Sequence, residues 1–276
     1  MTAPFAVVMP SHGRGDLLTG AVAAVAGAPV LLVDDSPGGL SAAAVPAGVR
    51  LLRTRGDEGF AAACNLGLAA AEADGFGHAL LLNDDARPAP GCVTALLAAL
   101  EAEPRAAAAG PILFGVDGRI ESAGLALGRR SGRVHQRTHL PAAPTAVDAL
   151  SGACLLLEAS LRFDPDYHFG FEDLELGRRL RAAGRSLLVV PAARCLHLGG
   201  GSLPRCSREA TRHAVAGHLR LVGDRPWRRG LVLWLAFAQI LRERGPVGRI
   251  AGALEGWRDT RREVSTTGSK GGKFVS

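Results

Sequence analysis

The first hundred residues alternate short, unbroken apolar runs with longer alanine-rich stretches. Phe5–Met9 is the first run, ending at Pro10, and Val30–Val33 is the second, ending in Asp34 and Asp35 before a Ser-Pro-Gly-Gly turn. Val49–Leu52 follows, then a helix-type stretch from Gly59 to Ala73. A fourth run, Ala79–Leu82, stops abruptly at Asn83-Asp84-Asp85. Apolar strands separated by helices of about 10–15 residues predict a parallel α/β sheet. Such sheets bind ligands just beyond the C-terminal ends of their strands. Ser11, Asp34 and Asp85 each take that place, so three loops are expected to line one crevice.

The pattern then changes. Residues 111–150 are rich in Gly, Arg and His and read as irregular strands and loops. Leu150–Leu157 is a further apolar run that opens with Ser151-Gly152. Phe171–Ala183 reads as a helix, with Leu174, Leu176 and Leu180 inside, arginines outside and Gly184 ending it. Ser186–Val190 and Arg194–Leu196 read as two last short strands, with His197 to Ser202 following as a flexible glycine-rich loop.

From Cys206 to Glu263 the pattern is helical throughout. Gly230–Leu241 is almost wholly apolar, but its 12 residues are too few to span a bilayer. Val247, Ile250, Leu254 and Trp257 share one face of the last helix, and 265–276 reads as a disordered Gly/Ser/Lys-rich tail. The expected organisation is a domain over 1–205, with halves 1–100 and 101–205, then a helical extension over 206–264 and the tail.

Composition sharpens this picture. With 276 residues, 47% hydrophobic and 21% charged, the chain can bury a sizeable core, and global disorder is excluded. The net charge of +6 is uneven, because residues 203–263 hold 13 arginines against 6 acids, a net +7 that leaves −1 for the rest. That third suits a phosphate-bearing ligand or an anionic membrane surface. Nucleic acid is not expected, since aromatics are 5% of the chain and do not interleave with the arginines. Cys64, Cys92, Cys154, Cys195 and Cys206 are odd in number, scattered and without a C-x-x-C pair, which argues against zinc and disulfide frameworks. No signal-peptide pattern is visible, so a cytoplasmic, reduced protein is expected.

Four features could carry chemistry. Adjacent carboxylates Asp84 and Asp85 after a buried strand repel unless a cation joins them, and with diphosphate oxygens they would suit Mg²⁺ or Mn²⁺. Alternatively they form a solvated turn, with Asp85 capping a helix from about Pro88. Glu172, Asp173 and Glu175 cluster at a helix start, either to satisfy the helix dipole or to supply a general base, with Phe169 and Phe171 as a wall for a sugar ring. His197 is either structural or a metal ligand at a strand end. Asp34 and Asp35 could meet a nucleobase or ribose, or only initiate their turn. Gly13-Arg14-Gly15 resembles part of a phosphate loop, but neither G-x-G-x-x-G nor a P-loop is present.

Taken in order over residues 5–222, these segments resemble family 2 glycosyltransferases of the GT-A fold, particularly bacterial rhamnosyltransferase-like members. The matching segments are Val7-Val8-Met9-Pro10-Ser11, Leu32-Val33-Asp34-Asp35-Ser36, Gly59-Phe60 through Asn65-Leu66-Gly67, and Leu81-Leu82-Asn83-Asp84-Asp85. Ser151-Gly152-Ala153-Cys154, Phe171-Glu172-Asp173-Leu174-Glu175 and His197-Leu198-Gly199-Gly200-Gly201-Ser202 continue the series. The resemblance implies a mostly parallel central sheet flanked by helices, with a C-terminal helical extension. It implies metal-dependent, inverting transfer of a sugar from a UDP-, dTDP- or GDP-linked donor.

The residue roles it implies are specific. Asp173, with Glu172, is the catalytic pair, and Asp85 and His197 hold Mn²⁺ or Mg²⁺. Pro10, Ser11, Arg14, Asp34, Asp35, Gly59, Asn65, Asn83 and Asp84 face the donor, while Ser151, Gly152 and Phe171 line the acceptor side. The acceptor is a small molecule, a glycan or a lipid-linked sugar. Four places depart from the family pattern: Asn83 opens the metal turn, Cys64 replaces a basic residue, His12-Gly13 replaces the commoner aromatic-Asn after the first strand, and Asp57 replaces an Asn. An inactive nucleotide-sugar-binding or partner-binding module and a sugar nucleotidyltransferase are the alternatives. The basic C-terminal helices either cap the sheet or anchor the chain peripherally at the inner membrane face, and a homodimer is also open.

Overall fold

The computed structural model describes residues 5–128, 132–199, 207–223, 225–242 and 247–268. They fall into two compact units. The first comprises Met1–Leu127, Val134–His168 and Glu172–Ser202, and the second comprises Gly128–Arg133, Phe169–Phe171 and Leu203–Ser276.

The first unit is built on β1 (Phe5–Ser11), β2 (Val30–Asp34), β3 (Arg50–Arg53), β4 (His78–Leu82), β5 (Ala86–Pro88) and β6 (Ala106–Phe114). β7 (Ile120–Ser122), β8 (Leu125–Leu127), β9 (Val134–Gln136), β10 (Thr145–Ala146), β11 (Cys154–Glu158) and β12 (Ser186–His197) complete its strands. The main sheet runs β10-β12-β6-β11-β4-β1-β2-β3, with β5 on β12 and β7 on β6, while β8 and β9 form a separate hairpin. β1, β2, β3 and β4 are mutually parallel, as are β6 and β12, and β11 is antiparallel to both its neighbours.

Helices α1 (Gly15–Ala23), α2 (Phe60–Ala73), α3 (Cys92–Ala102) and α4 (Glu172–Ala182) cover the sheet. Successive strand residues point to opposite faces, so each face has its own core. Val7, Met9, Leu32 and Leu82 pack with Leu18 of α1 and Leu96 of α3. Val8, Leu31, Val33 and Leu81 pack with Leu68 of α2 and Leu176 and Leu180 of α4. Strands buried on both faces are apolar throughout, which is why β1, β2 and β4 read as unbroken runs. α2 lies so close to β1 that a Cβ on Gly67 would sit 2.3 Å from Val8 Cγ1.

Two readings sharpen here. The stretch read as irregular contains β7 to β10 and the end of β6, a nine-residue strand buried for all but its last residue. The two short strands at 186–196 are one, β12, whose register against β6 shifts between Val190 and Arg194. Pro191 lies within that shift and has no N–H to donate, so the irregularity falls where a ladder bond is missing.

The second unit holds α5 (Arg208–Val222), α6 (Pro226–Arg242) and α7 (Val247–Gly268). Val215, Leu219, Val222, Val232, Ile240 and Ala253 form its core. α7 runs to Gly268, so the first residues of the expected tail are helical, and 269–276 lie outside the described residues, as do Gly200, Gly201, Ser202 and Cys206. Among the described residues no helix is long and apolar enough to cross a membrane.

Candidate active site

The acidic turn is held from three sides. Asn83 N–H donates to the Ala153 carbonyl (3.0 Å) and Ala86 N–H to the Asn83 carbonyl (3.1 Å), closing it against β11 and β5. Arg87 donates to the carbonyls of Asp84 (2.7 Å), Ala86 (2.8 Å) and Leu17 (2.8 Å), tying the turn to α1. This suture was not anticipated from the sequence. Nor does Asp85 cap a helix at Pro88, because Ala86–Pro88 pair with β12 as β5 and α3 starts only at Cys92.

Ser11, at the end of β1, donates its hydroxyl to Asp84 Oδ2 at 2.7 Å. Asp84 and Asp85 are 9% and 3% exposed. Burial pushes the Asp84 carboxyl above its ordinary range; the Ser11 bond opposes this and the neighbouring Asp85 charge reinforces it. Asn83 Oδ1 and Asp85 Oδ1 are buried with no well-formed hydrogen-bond partner.

His197 closes the arrangement. As the last residue of β12 it pairs with Ala86, next to the turn, and the Leu198 amide donates to the Asp85 carbonyl at 2.8 Å. Its Nε2 lies 3.4 Å from Asp85 Oδ1, an ion-pair distance, and its Nδ1 lies 2.8 Å from Glu121 Oε2. The Asp85 carboxylate raises the imidazole to about 9, against burial and with help from Glu121. A carboxylate only accepts, so Nδ1 carries the proton toward Glu121 and Nε2 is turned to Asp85. Glu121, on the three-residue strand β7, was missed because the irregular pattern of that stretch gave no register and no motif there.

Asp85 Oδ1 and the His197 nitrogen facing it make a mixed O/N donor pair that suits Mn²⁺ or Mg²⁺. Among the described residues no three His, Cys, Asp or Glu side chains form a cage, so most of an ion's shell would have to come from a ligand. The residues therefore fit an ion shared with a diphosphate.

Asp34 ends β2 and Asp35 follows it, but both are engaged locally. Asp34 accepts from Ser36 N–H (3.1 Å), Ser36 hydroxyl (2.5 Å) and Leu40 N–H (2.6 Å), with Arg53 Nε at 3.5 Å. Burial would raise its carboxyl, yet those bonds and Arg53 together hold it below the ordinary value. Asp35 accepts from the Thr54 hydroxyl and from the amides of Glu58 and Gly59, both at 2.9 Å, so it fastens the 54–59 loop. Gly59 itself has φ +94°, and a Cβ there would meet the His168 carbonyl at 2.4 Å.

Asn65, expected to face the donor, instead clamps the chain. Its Nδ2 donates to the Phe163 carbonyl (2.9 Å) and its Oδ1 accepts from the Phe163 amide (2.7 Å). Pro10 is buried within β1, opposite Val33, and Arg14 sits at the start of α1 with Nε 3.9 Å from Asp16.

Glu172 and Asp173 open α4, where exposed helix N–H groups favour carboxylates. Leu174 N–H donates to Asp173 Oδ1 at 2.7 Å. Burial drives the Asp173 carboxyl up to about 6, against the lowering effect of backbone amides including that of Gly152. Gly152 and Asp173 are thus neighbours, and Ser151 Oγ accepts from Ala153 N–H at 3.3 Å. Phe171, with φ +73°, belongs to the second unit, where its ring stacks on His218 with centroids 5.0 Å apart.

Comparison with known proteins places this geometry. A family model described as glycosyl transferase family 2 matches residues 6–152. Over 222 residues the chain is 32% identical to an N-acetylglucosaminyl-diphospho-decaprenol L-rhamnosyltransferase of Mycobacterium tuberculosis, across 68% of this chain and 71% of that protein. Among solved structures, GalNAc-T7 with UDP, GalNAc and Mn²⁺ superposes with a TM-score of 0.62 at 18% identity, covering 79% of this chain but only 47% of its own. The mannosyltransferase PcManGT from Pyrobaculum calidifontis, in complex with GDP-Man and Mn²⁺, gives 0.56 at 14% identity over 98% of this chain and 80% of its own. S. aureus TarS with UDP-GlcNAc gives 0.52 at 13% identity over 84% and 70%. At such identities the structural likeness concerns the fold, which is GT-A.

Proposed function

Because the chain belongs to glycosyl transferase family 2 and is a glycosyltransferase using a nucleotide-sugar donor, we propose that it works by metal-assisted inversion at the acidic turn, with Asp173 as base. The observation that carries this reading is Asp85, buried, with no well-formed hydrogen bond at Oδ1 and faced there by His197.

In this reading Asp85 and His197 hold the ion, which when bound supplies positive charge beside the leaving diphosphate. Ser11 keeps Asp84 turned into the site, and Glu121 keeps the His197 Nε2 aimed at it. Asp34 stands at the base and ribose end of the crevice, with Arg14 and Asn83 toward the diphosphate. We assign Asp35 and Asn65 to holding the surrounding loops.

Asp173 takes the proton of an acceptor hydroxyl, whose oxygen bonds to the anomeric carbon as the carbon–diphosphate bond breaks. The nucleoside diphosphate leaves with that electron pair, and one displacement inverts the centre. An ordinary aspartate is a weak base, and the raised affinity for protons at Asp173 makes it a better one near neutral pH.

The relative's name makes a rhamnosyl donor and a polyprenyl-diphosphate-linked sugar the first pair to test. Calorimetry with a panel of nucleotide sugars, with and without Mn²⁺, should show one donor binding more tightly with metal and losing that gain in Asp85→Ala. Binding of no nucleotide sugar under either condition overturns the proposal. Retention of the anomeric configuration, read by NMR of the product, overturns the single displacement.

A further inference from the structure

The second unit carries a surface that the chemistry above does not use. Helix α6 has two apolar faces. Val232 and Ile240, with Leu233, Ala236 and Phe237, pack into the unit's core. On the opposite side Trp227, Leu231, Trp234, Ala238 and Leu241 follow one another at spacings of four and three, which keeps them on one stripe of a helix. Trp227 is 55% exposed, Trp234 65% and Leu241 72%, with Leu231 and Ala238 half-buried between them. An ordinary surface helix would place polar residues there.

The charges around the stripe are of one sign. α6 has no acidic residue; Arg228 lies on it and Arg225 is exposed just before it, while Arg229 turns to the core side and donates to Thr260 Oγ1 at 2.7 Å. Arg228 sits over the Trp227 ring at 5.2 Å, so charge and indole are presented together.

We propose that this stripe is a docking surface for an anionic lipid bilayer, on which α6 lies in the plane of the interface. Tryptophans with leucine on an apolar face and arginines beside it are what binds headgroups and the upper acyl region at once. The helix is too short and too firmly held by its other face to span the bilayer, so contact is peripheral. A second copy of the chain fits less well. The three exposed side chains offer roughly 400 Å², judged from aromatic side chains of 150–250 Å² each, against about 800 Å² per partner in a stable interface. Like faces would also bring arginines onto arginines. Of the two readings of the C-terminal helices, this favours the anchor.

The test uses the full chain with vesicles of phosphatidylcholine alone, or with a third of the lipid replaced by phosphatidylglycerol. Flotation should carry the protein with the anionic vesicles and far less with the neutral ones, and high salt should release it. Brominated acyl chains should quench the emission of Trp227 and Trp234. Trp257, the third tryptophan, packs on the unit's core and should be spared. The double variant Trp227→Gln/Trp234→Gln should partition roughly tenfold less or weaker, a loss of about 1.4 kcal/mol or more, while its nucleotide-sugar binding is unchanged. Failure to bind anionic vesicles overturns the proposal, as does binding that the double variant leaves intact. A dimer by light scattering that the double variant dissociates overturns it in favour of a second copy.

Discussion

Replacing Asn65 separates a donor contact from a structural clamp. Its carboxamide makes two bonds, at 2.9 and 2.7 Å, to the carbonyl and amide of Phe163, which lies 98 residues away in sequence. In Asn65→Ala both bonds go, at about 0.5–1.5 kcal/mol net for each, and two backbone groups lose their partner, a further penalty of about 1–3 kcal/mol for each that stays dry. Asn65 is half-buried, so water can reach part of the vacated space, and we expect a total of roughly 2–4 kcal/mol. For a chain of this size that lowers the melting temperature by roughly 5–15 °C. Asn65→Asp should be no better, because its carboxylate can accept from the amide but meets the Phe163 carbonyl with a second acceptor. Urea unfolding gives the stability, and donor calorimetry at a temperature where both proteins are folded gives the affinity. Unchanged stability with a tenfold weaker donor would refute the clamp and restore Asn65 to the donor site.

Asp173→Asn should lower the turnover rate by about 10²–10⁴ with donor binding kept, and in the wild-type protein the rate should fall as pH drops through about 6. The folded pKa of Asp173 exceeds the unfolded value of about 3.9, so its stabilising effect is complete below that value and lost as pH rises through the folded one. Asp173→Asn should therefore unfold at higher urea than the wild type at neutral pH. Glu121→Ala should weaken Mn²⁺ binding, read by electron paramagnetic resonance, by about 10–100-fold, whereas Glu121→Gln, which can still accept from Nδ1, should recover much of it; equal affinity in all three proteins removes Glu121 from the site. Gly59→Ala forces a Cβ to 2.4 Å from the His168 carbonyl at φ +94°, and a melt within a degree of wild type would contradict that geometry.

The first hundred residues were legible because their central strands are buried on both faces and end in polar residues. β1, β2 and β4 read as apolar runs, and Ser11, Asp34 and the acidic turn stand at their ends. In the second half α4 and β11 were legible too, but β6 was not. β6 begins Ala106-Ala107-Ala108-Ala109, and alanine is the best helix former, so local preference pointed away from a strand. Those alanines are 0–7% exposed with β11 and β12 on either side, and pairing with two neighbours overrides the propensity. Asp35 and Asn65 show a different limit. Their residue types announced polar contacts correctly, but a single sequence does not say whether the partner is a ligand or the chain's own backbone.

The same limit explains why the acidic turn was ambiguous on its own. Asp84 and Asp85 could have been a solvated cap, and that reading fails because Ala86–Pro88 is recruited as a strand by the end of β12. That recruitment depends on the irregularity between Val190 and Arg194, beyond which β12 resumes pairing with Ile112, Leu113 and Phe114 while its other edge takes β5. Pro191, between the two runs read as separate strands, therefore sits at the point that separates the regular half of β12 from the half that delivers His197 to Asp85. The proline and the histidine belong to one device. A change that restored regular pairing at 190–194 would shift the register beyond it, and with it the side-chain alternation that turns His197 toward the acidic turn.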